Sequence, residues 1–307
     1  MNLVSLIVGD RMRTDKGNLL IKKILSDNIK FILSKALHPF RNGFILYNIS
    51  NRAQKGKVNL NYWDEAYNLG DTLSPIVVQY MLDKKGLDYS AKSNLRIHLY
   101  AIGSILTAGI QDCTVWGSGI ISPSLLYRVK NRKLDIRAVR GPLTHYLLED
   151  CGYVVPPVYG DPAILMPYIY CPSGIAKKWK YGLVLHKDDD LSRVQRSIKG
   201  NMKILNIKTD NFSEFIDELC SVKLVISSSL HGIILAESYG IPAIWIKPTK
   251  DYSFKFVDWY YSTERFKFPI CNSIEEALNS EPPELPGLNE MRKRLMSVFP
   301  YDLFKGQ

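Results

Sequence analysis

From Lys57 onward, short runs of aliphatic and β-branched residues alternate with stretches whose apolar positions recur every three to four residues. This alternation is the mark of βαβ units, which build parallel sheets covered by helices. The runs predict strands at 96–102, 114–116, 136–139, 181–186, 203–207, 224–227 and 243–246. The periodic stretches predict helices at 72–83, 142–150, 191–198, 212–220 and 231–239. Pro167, Pro172, Gly174 and three lysines interrupt the rhythm at 166–180, so the linker between two lobes is expected there. A length of 307 residues fits two cores better than one. The expected domains are an N-terminal α/β lobe over 1–168, a C-terminal α/β lobe over 176–285, and a last segment, 286–307. That segment follows Pro282, Pro283 and Pro286 and carries a helix at about 288–298 that packs back on the lobes.

The first part of the chain follows a different pattern. Ile21, Ile24, Leu25, Ile29, Ile32 and Leu33 recur at helical spacing over 18–37, while Lys22, Lys23, Lys30 and Lys35 take the other faces. A basic amphipathic helix packs on its own lobe or docks peripherally on an anionic membrane surface. The apolar run at 1–8 is followed by Asp10, Arg11 and Arg13 without a small-residue cleavage site, so a cytoplasmic protein is expected. The apolar stretch 224–246 is broken by three serines, His231, Glu237, Gly240 and Pro242, the wrong composition for a bilayer span.

Composition narrows the partners. The net charge of +10 favours an anionic ligand or surface. The basic residues are dispersed and no recognition module is present, which argues against nucleic acid. Cys113, Cys151, Cys171, Cys220 and Cys271 are scattered, with no C-x-x-C pair, so neither a disulfide framework nor a metal site is expected.

Four strand-to-helix junctions carry the candidate chemistry. In Ile226-Ser227-Ser228-Ser229-Leu230-His231-Gly232, a buried strand ends in small hydroxyl residues and a helix begins at once. Its first N–H groups have no partner within the helix and face the carboxyl edge of the sheet, where anions bind. His231 stands in that first turn as a candidate acid/base. In Val139-Arg140-Gly141-Pro142, a bend and a helix-starting proline place Arg140 at a strand end, where its fork of donors suits a carboxylate or phosphate. Gly70-Asp71 and Gly160-Asp161 put a carboxylate directly after a glycine, as a cap or as a substrate contact. Gly103-Ser104 and Gly117-Ser118-Gly119 repeat the small-residue theme after strands.

In this order, N-L-G-D-T-L, A-I-G-S-I-L, V-W-G-S-G, A-V-R-G-P-L-T, Y-G-D-P-A-I-L and I-S-S-S-L-H-G-I-I-L-A-E-S-Y-G-I-P-A resemble the polysaccharide pyruvyl transferase family over about residues 57–250. The resemblance implies two Rossmann-like lobes with parallel sheets, similar to the GT-B glycosyltransferase architecture, with the acceptor on the N-terminal lobe and the donor on the C-terminal lobe. It also implies phosphoenolpyruvate as co-substrate, no cofactor, and an acceptor sugar in a cell-surface polysaccharide or its lipid-linked precursor, which becomes a cyclic pyruvate ketal. Residue by residue, it implies that His231 and Asp71 act in catalysis. Arg140, Ser228, Ser229, Leu230 and Gly232 would hold the donor, with substrate contacts from Asp161, Gly103, Ser104, Ser118 and Glu237. Many relatives carry an arginine where this chain has Ser229, so Lys247, Lys250 or the serine cluster would have to take its place.

Two other readings stay open on the residues. A nucleotide-sugar glycosyltransferase of the same architecture would use Glu237 to hold a ribose. A non-catalytic carbohydrate-binding or assembly protein would use the clusters Tyr62-Trp63 and Asp258-Trp259-Tyr260-Tyr261 as stacking surfaces.

Overall fold

The computed structural model describes residues 53–63, 68–190, 192 and 200–306. The basic segment at 18–37 and the helix expected at 191–198 lie outside the described residues, apart from residue 192. Among the described residues, nine strands form two sheets, each parallel throughout. The first contains β1 (Val58–Asn61), β2 (Ile97–Tyr100), β3 (Cys113–Trp116) and β4 (Leu134–Ala138), in that spatial order. The second contains β5 (Trp179–Val184), β6 (Met202–Ile204), β7 (Val222–Ser227), β8 (Ala243–Ile246) and β9 (Ile270–Cys271), in the order β6-β5-β7-β8-β9. The molecule is thus mixed α/β with two Rossmann-like lobes.

Helices α1 (Leu69–Asp83) and α2 (Pro142–Asp150) belong to the first lobe, and the short α3 (Met166–Ile169) leads toward the second. Then come α4 (Phe212–Cys220), α5 (Leu230–Ser238), α6 (Ser253–Ser262), α7 (Ile274–Leu278) and α8 (Asn289–Ser297). Strands β7 and β8 fall where the buried apolar runs predict them. Strand β1 does not show in the apolar pattern, because two of its four residues are asparagines whose side chains are bonded in place. Asn59 Nδ2 donates to the Ile97 carbonyl at 3.0 Å, and Asn61 Oδ1 meets His98 Nδ1 at 2.9 Å.

Helix α6 was also not expected. Its sequence, SFKFVDWYYS, has no polar face because both sides of the helix are covered. Phe256 stacks on Trp245 of β8 with ring centroids 4.6 Å apart, while Trp259, Tyr260 and Tyr261 are buried. These last three are therefore core residues and not a sugar-stacking surface.

Although it follows β8 of the second sheet, α6 packs against α2 of the first lobe. Asp258 makes the junction. Its Oδ1 accepts from the backbone N–H groups of Leu143 and Thr144 at 2.9 and 3.0 Å, and its Oδ2 accepts from Thr144 Oγ1 at 2.7 Å and Arg140 Nε at 3.1 Å. The residue before α2 is Gly141, which has no side chain to cap the helix. Asp258 supplies that cap from the other lobe. A Cβ on Gly141 would lie 2.1 Å from the Asp258 carbonyl oxygen, so only glycine lets α6 come this close.

Helix α8 adds a second bridge. Arg292 donates to the carbonyls of Ile164 and Ser238, each at 2.9 Å, and Trp116 Nε1 donates to the Leu295 carbonyl at 2.8 Å. Among the described residues, no helix is long and apolar enough to cross a membrane.

Asp258→Ala would leave Arg140 charged, buried and without its carboxylate while also uncapping α2. Breaking such a pair costs about 3–5 kcal/mol. Urea denaturation of the variant should show a loss of that size, and Asp258→Asn, which keeps an acceptor, should show a smaller one.

Candidate active site

At the carboxyl ends of the two sheets three of the candidate residues, His231, Asp161 and Asp71, come together in the cleft between the lobes. His231 occupies the first turn of α5, after Ser229 at the N-cap. The hydroxyl-rich strand end positions it. Ser227 Oγ donates to the Val184 and Ser229 carbonyls at 3.0 and 2.8 Å and accepts from Ser229 N at 3.0 Å, while Ser228 Oγ accepts from His186 N at 2.8 Å. The serines therefore lock the turn that aims the histidine.

The imidazole is wedged between the two lobes. Its Nε2 lies 3.5 Å from Asp161 Oδ2. Both atoms are buried, and neither has a hydrogen-bond partner among the described residues. Asp161 Oδ1 is fixed by Ala163 N at 3.0 Å as the cap of a short 3-10 helix, Pro162–Leu165. On its other edge the ring presses on Gly70, where a Cβ would lie 1.8 Å from Nδ1. Glycine is therefore required at position 70 for His231 to sit here, and the N-L-G-D segment owes this residue to packing across the cleft.

Asp71, the next residue, is buried at the start of α1. Its Oδ2 accepts from Asn68 Nδ2 at 2.5 Å, and its Oδ1 faces Gly103, whose Cβ would come within 3.1 Å. Burial raises the pKa of Asp71 above the ordinary carboxylate value, against the pull of His231, Asn68, Lys187 and Lys255. The carboxyl can therefore hold a proton nearer neutrality than a solvated aspartate can.

Several expectations change. Arg140 is 0% exposed, and its fork is taken up. Nε and Nη2 lie 3.1 Å from Asp258 Oδ2, Nη1 donates to Ser104 Oγ at 2.5 Å, and Nη2 donates to the Ile120 carbonyl at 2.8 Å. Paired with Asp258, it braces the cleft wall rather than offering a free clamp. Ser104 is thereby committed to Arg140. Ser118 is committed as well, since it is fully buried and donates to the Gly103 carbonyl at 2.8 Å.

Gly232 and Leu230 face the core. A Cβ on Gly232 would meet Ser227 Oγ at 2.4 Å, and the Leu230 side chain joins the main hydrophobic cluster. What this junction offers a ligand is the backbone N–H groups of the first turn of α5. Glu237 lies away from the cleft, held by Arg265 through bonds of 2.6 and 2.9 Å and by Trp259 Nε1 at 2.8 Å. It cannot also hold a ribose, which removes the feature favouring a nucleotide sugar.

The opposite wall carries residues that did not stand out in the sequence. Lys255 on α6 is 8% exposed, with Nζ 3.3 Å from His186 Nε2 and 4.7 Å from the centroid of the Tyr252 ring. Burial pushes its pKa down to about 7, helped by Arg140 and opposed by Asp71. Burial, with Lys255 beside it, pushes His186 down to about 4. Lys187 lies over the Trp63 ring at 4.4 Å. A lone charge in an aromatic run, F-K-F, was the available signal for Lys255.

Gly70→Ala tests the wedge. Overpacking at a filled site costs about 1–3 kcal/mol. The variant should lose stability of that order in urea, and His231 should react faster with diethyl pyrocarbonate. Unchanged stability together with unchanged reactivity would place His231 elsewhere.

Comparisons with known proteins identify the family. The polysaccharide pyruvyl transferase family profile matches residues 86–249, more than half of the chain. An uncharacterized protein of Acanthamoeba polyphaga mimivirus is 26% identical over 245 residues, covering 75% of this chain and 84% of that protein. The succinoglycan biosynthesis protein ExoV of Rhizobium meliloti (strain 1021) is 26% identical over 209 residues, covering 64% of this chain and 62% of its own length. This last share is under two thirds. A crystal structure of an uncharacterized Klebsiella pneumoniae protein aligns with 75% of this chain and 97% of its own, at 14% identity and a TM-score of 0.44. The chain belongs to the polysaccharide pyruvyl transferase family and is a transferase that moves a pyruvyl group to a polysaccharide.

Proposed function

We propose that the donor is phosphoenolpyruvate and that the product is a cyclic ketal on two hydroxyls of one sugar, in a cell-surface polysaccharide or its lipid-linked precursor. The observation that carries this reading is the unpartnered pair of Asp161 Oδ2 and His231 Nε2, 3.5 Å apart and buried at the cleft. A carboxylate held on one ring nitrogen orients the imidazole and leaves the other nitrogen, Nδ1, for proton transfer. Nδ1 makes no hydrogen bond among the described residues and lies at the start of α1, beside Gly70 and next to Asp71 in the chain.

In this scheme protonated His231 gives its proton to the methylene carbon of the donor, and C2 takes on oxocarbenium character. The first sugar hydroxyl adds at C2 and its proton returns to His231. The C2–O bond to phosphate then breaks, the second hydroxyl adds, and its proton leaves on the phosphate. One donor and two hydroxyls become one methyl ketal and one hydrogen phosphate, with the histidine restored. Asp161 acts as a positioning residue on Nε2. Asp71, with its raised pKa, supplies a carboxyl able to exchange a proton across the cleft. The expected cytoplasmic location, and docking of the basic segment at 18–37 on an anionic membrane, would bring the site to a lipid-linked acceptor.

Removing a positioned acid/base costs about 10²–10⁴ in rate. His231→Ala should lose turnover in that range, read as phosphate release dependent on donor and acceptor together. Asp161→Asn should retain folding and lower kcat more than it raises KM. Near-parental turnover of a pure His231→Ala preparation would remove the assignment.

A further inference from the structure

Lys255 is a buried ammonium in want of an anion. No carboxylate lies within ion-pair distance of it among the described residues, and its one hydrogen-bond contact is His186 Nε2. Burying a charge without a counter-charge is costly and rarely tolerated unless function uses it. The groups facing it come from several elements. Arg140 stands behind it on the first lobe and Asp71 across from it on α1. His186, Lys187 and Asp188 lie on the loop after β5, and Tyr252 sits just before its own helix. Two of these groups, Arg140 and Lys187, are cations, two, Asp71 and Asp188, are carboxylates that do not pair with it, and His186 adds a ring.

The position is equally specific. His186, which meets Lys255, is tied through its backbone N–H to Ser228 Oγ, one residue before the N-cap of α5. Lys255 is thus linked through His186 to the serine-rich turn that precedes α5. Of the other lysines expected to contact the donor, Lys250 is exposed and paired with Asp188 at 3.1 Å.

We propose that Lys255, with Lys187 beside it, binds the phosphate group of the donor. This assignment rests on the reading that phosphoenolpyruvate is the donor. The first-turn N–H groups of α5 are then left for the carboxylate end. In the transfer, Lys255 holds the phosphate as the C2–O bond breaks and the phosphate leaves carrying the proton of the second hydroxyl.

The pH dependence has a defined sign. In the free protein Lys255 loses its proton as the pH rises through about 7. A bound phosphate favours the charged form and so raises that pKa, which means binding takes up a proton above neutrality. Donor affinity should be full below pH 7 and fall by up to about tenfold per pH unit above it.

Isothermal titration of the full chain with phosphoenolpyruvate, inorganic phosphate and pyruvate, at pH 6.5 and pH 8.5, tests the proposal in parental, Lys255→Met and Lys255→Arg proteins. Circular dichroism checks that each variant folds. At pH 6.5, Lys255→Met should bind phosphoenolpyruvate and inorganic phosphate about 10- to 100-fold more weakly, with pyruvate binding unchanged. Lys255→Arg, which does not deprotonate, should keep its affinity at pH 8.5 where the parental protein loses it. Parental phosphate affinity in Lys255→Met would overturn the proposal, as would an alkaline loss that persists in Lys255→Arg. Either result, with parental phosphoenolpyruvate binding intact, leaves the donor reading standing. Absence of phosphoenolpyruvate binding in a parental protein that transfers pyruvyl groups would overturn both.

Discussion

The Asp258 carboxylate, reaching from α6 to the start of α2, sets the relation between the two lobes. It caps a helix that has only glycine at its own N-cap, and it neutralises the fully buried Arg140. Because one carboxylate serves both roles, the position of α6 and the orientation of Arg140 cannot change independently. Lys255 lies three residues earlier on α6 and so shares its face, while Trp259 anchors the same helix to the Glu237–Arg265 pair. The helix that joins the lobes is thus also the one that carries a cation into the cleft between them.

This arrangement gives the cleft its electrostatic asymmetry. Asp71 and Asp161 lie with His231, and Lys187 and Lys255 form the other wall. The donor we propose, with a carboxylate, a phosphate and a carbon that accepts a proton, would use both walls. The family's chemistry is pyruvyl transfer to polysaccharide, and the candidate groups for it come from both lobes. Glycine at 70 and at 141 permits the close approaches on which the division depends.

Much of the fold was legible because buried parallel strands read as continuous apolar runs. Strands β7 and β8 and helices α2 and α4 lie where those runs and the helical spacing place them. Strand β1 was hidden by its asparagines and α6 by burial on both sides, which leaves no amphipathic period to read. The strand-end rule brought out Asp71, Asp161 and His231, and these three do converge. The same rule could not tell a free guanidinium from one held by a carboxylate 118 positions away, and so it assigned Arg140 to the donor. Nor could it reveal Lys255, whose importance comes from what surrounds it in space.

The most direct test of the account is a crystal structure of the protein with phosphoenolpyruvate bound. The account predicts the donor between the walls of the cleft, with its phosphate beside Lys255 and Lys187 and its methylene carbon toward His231 Nδ1. Phosphoenolpyruvate bound outside this cleft, or with its methylene carbon turned away from His231, would contradict it.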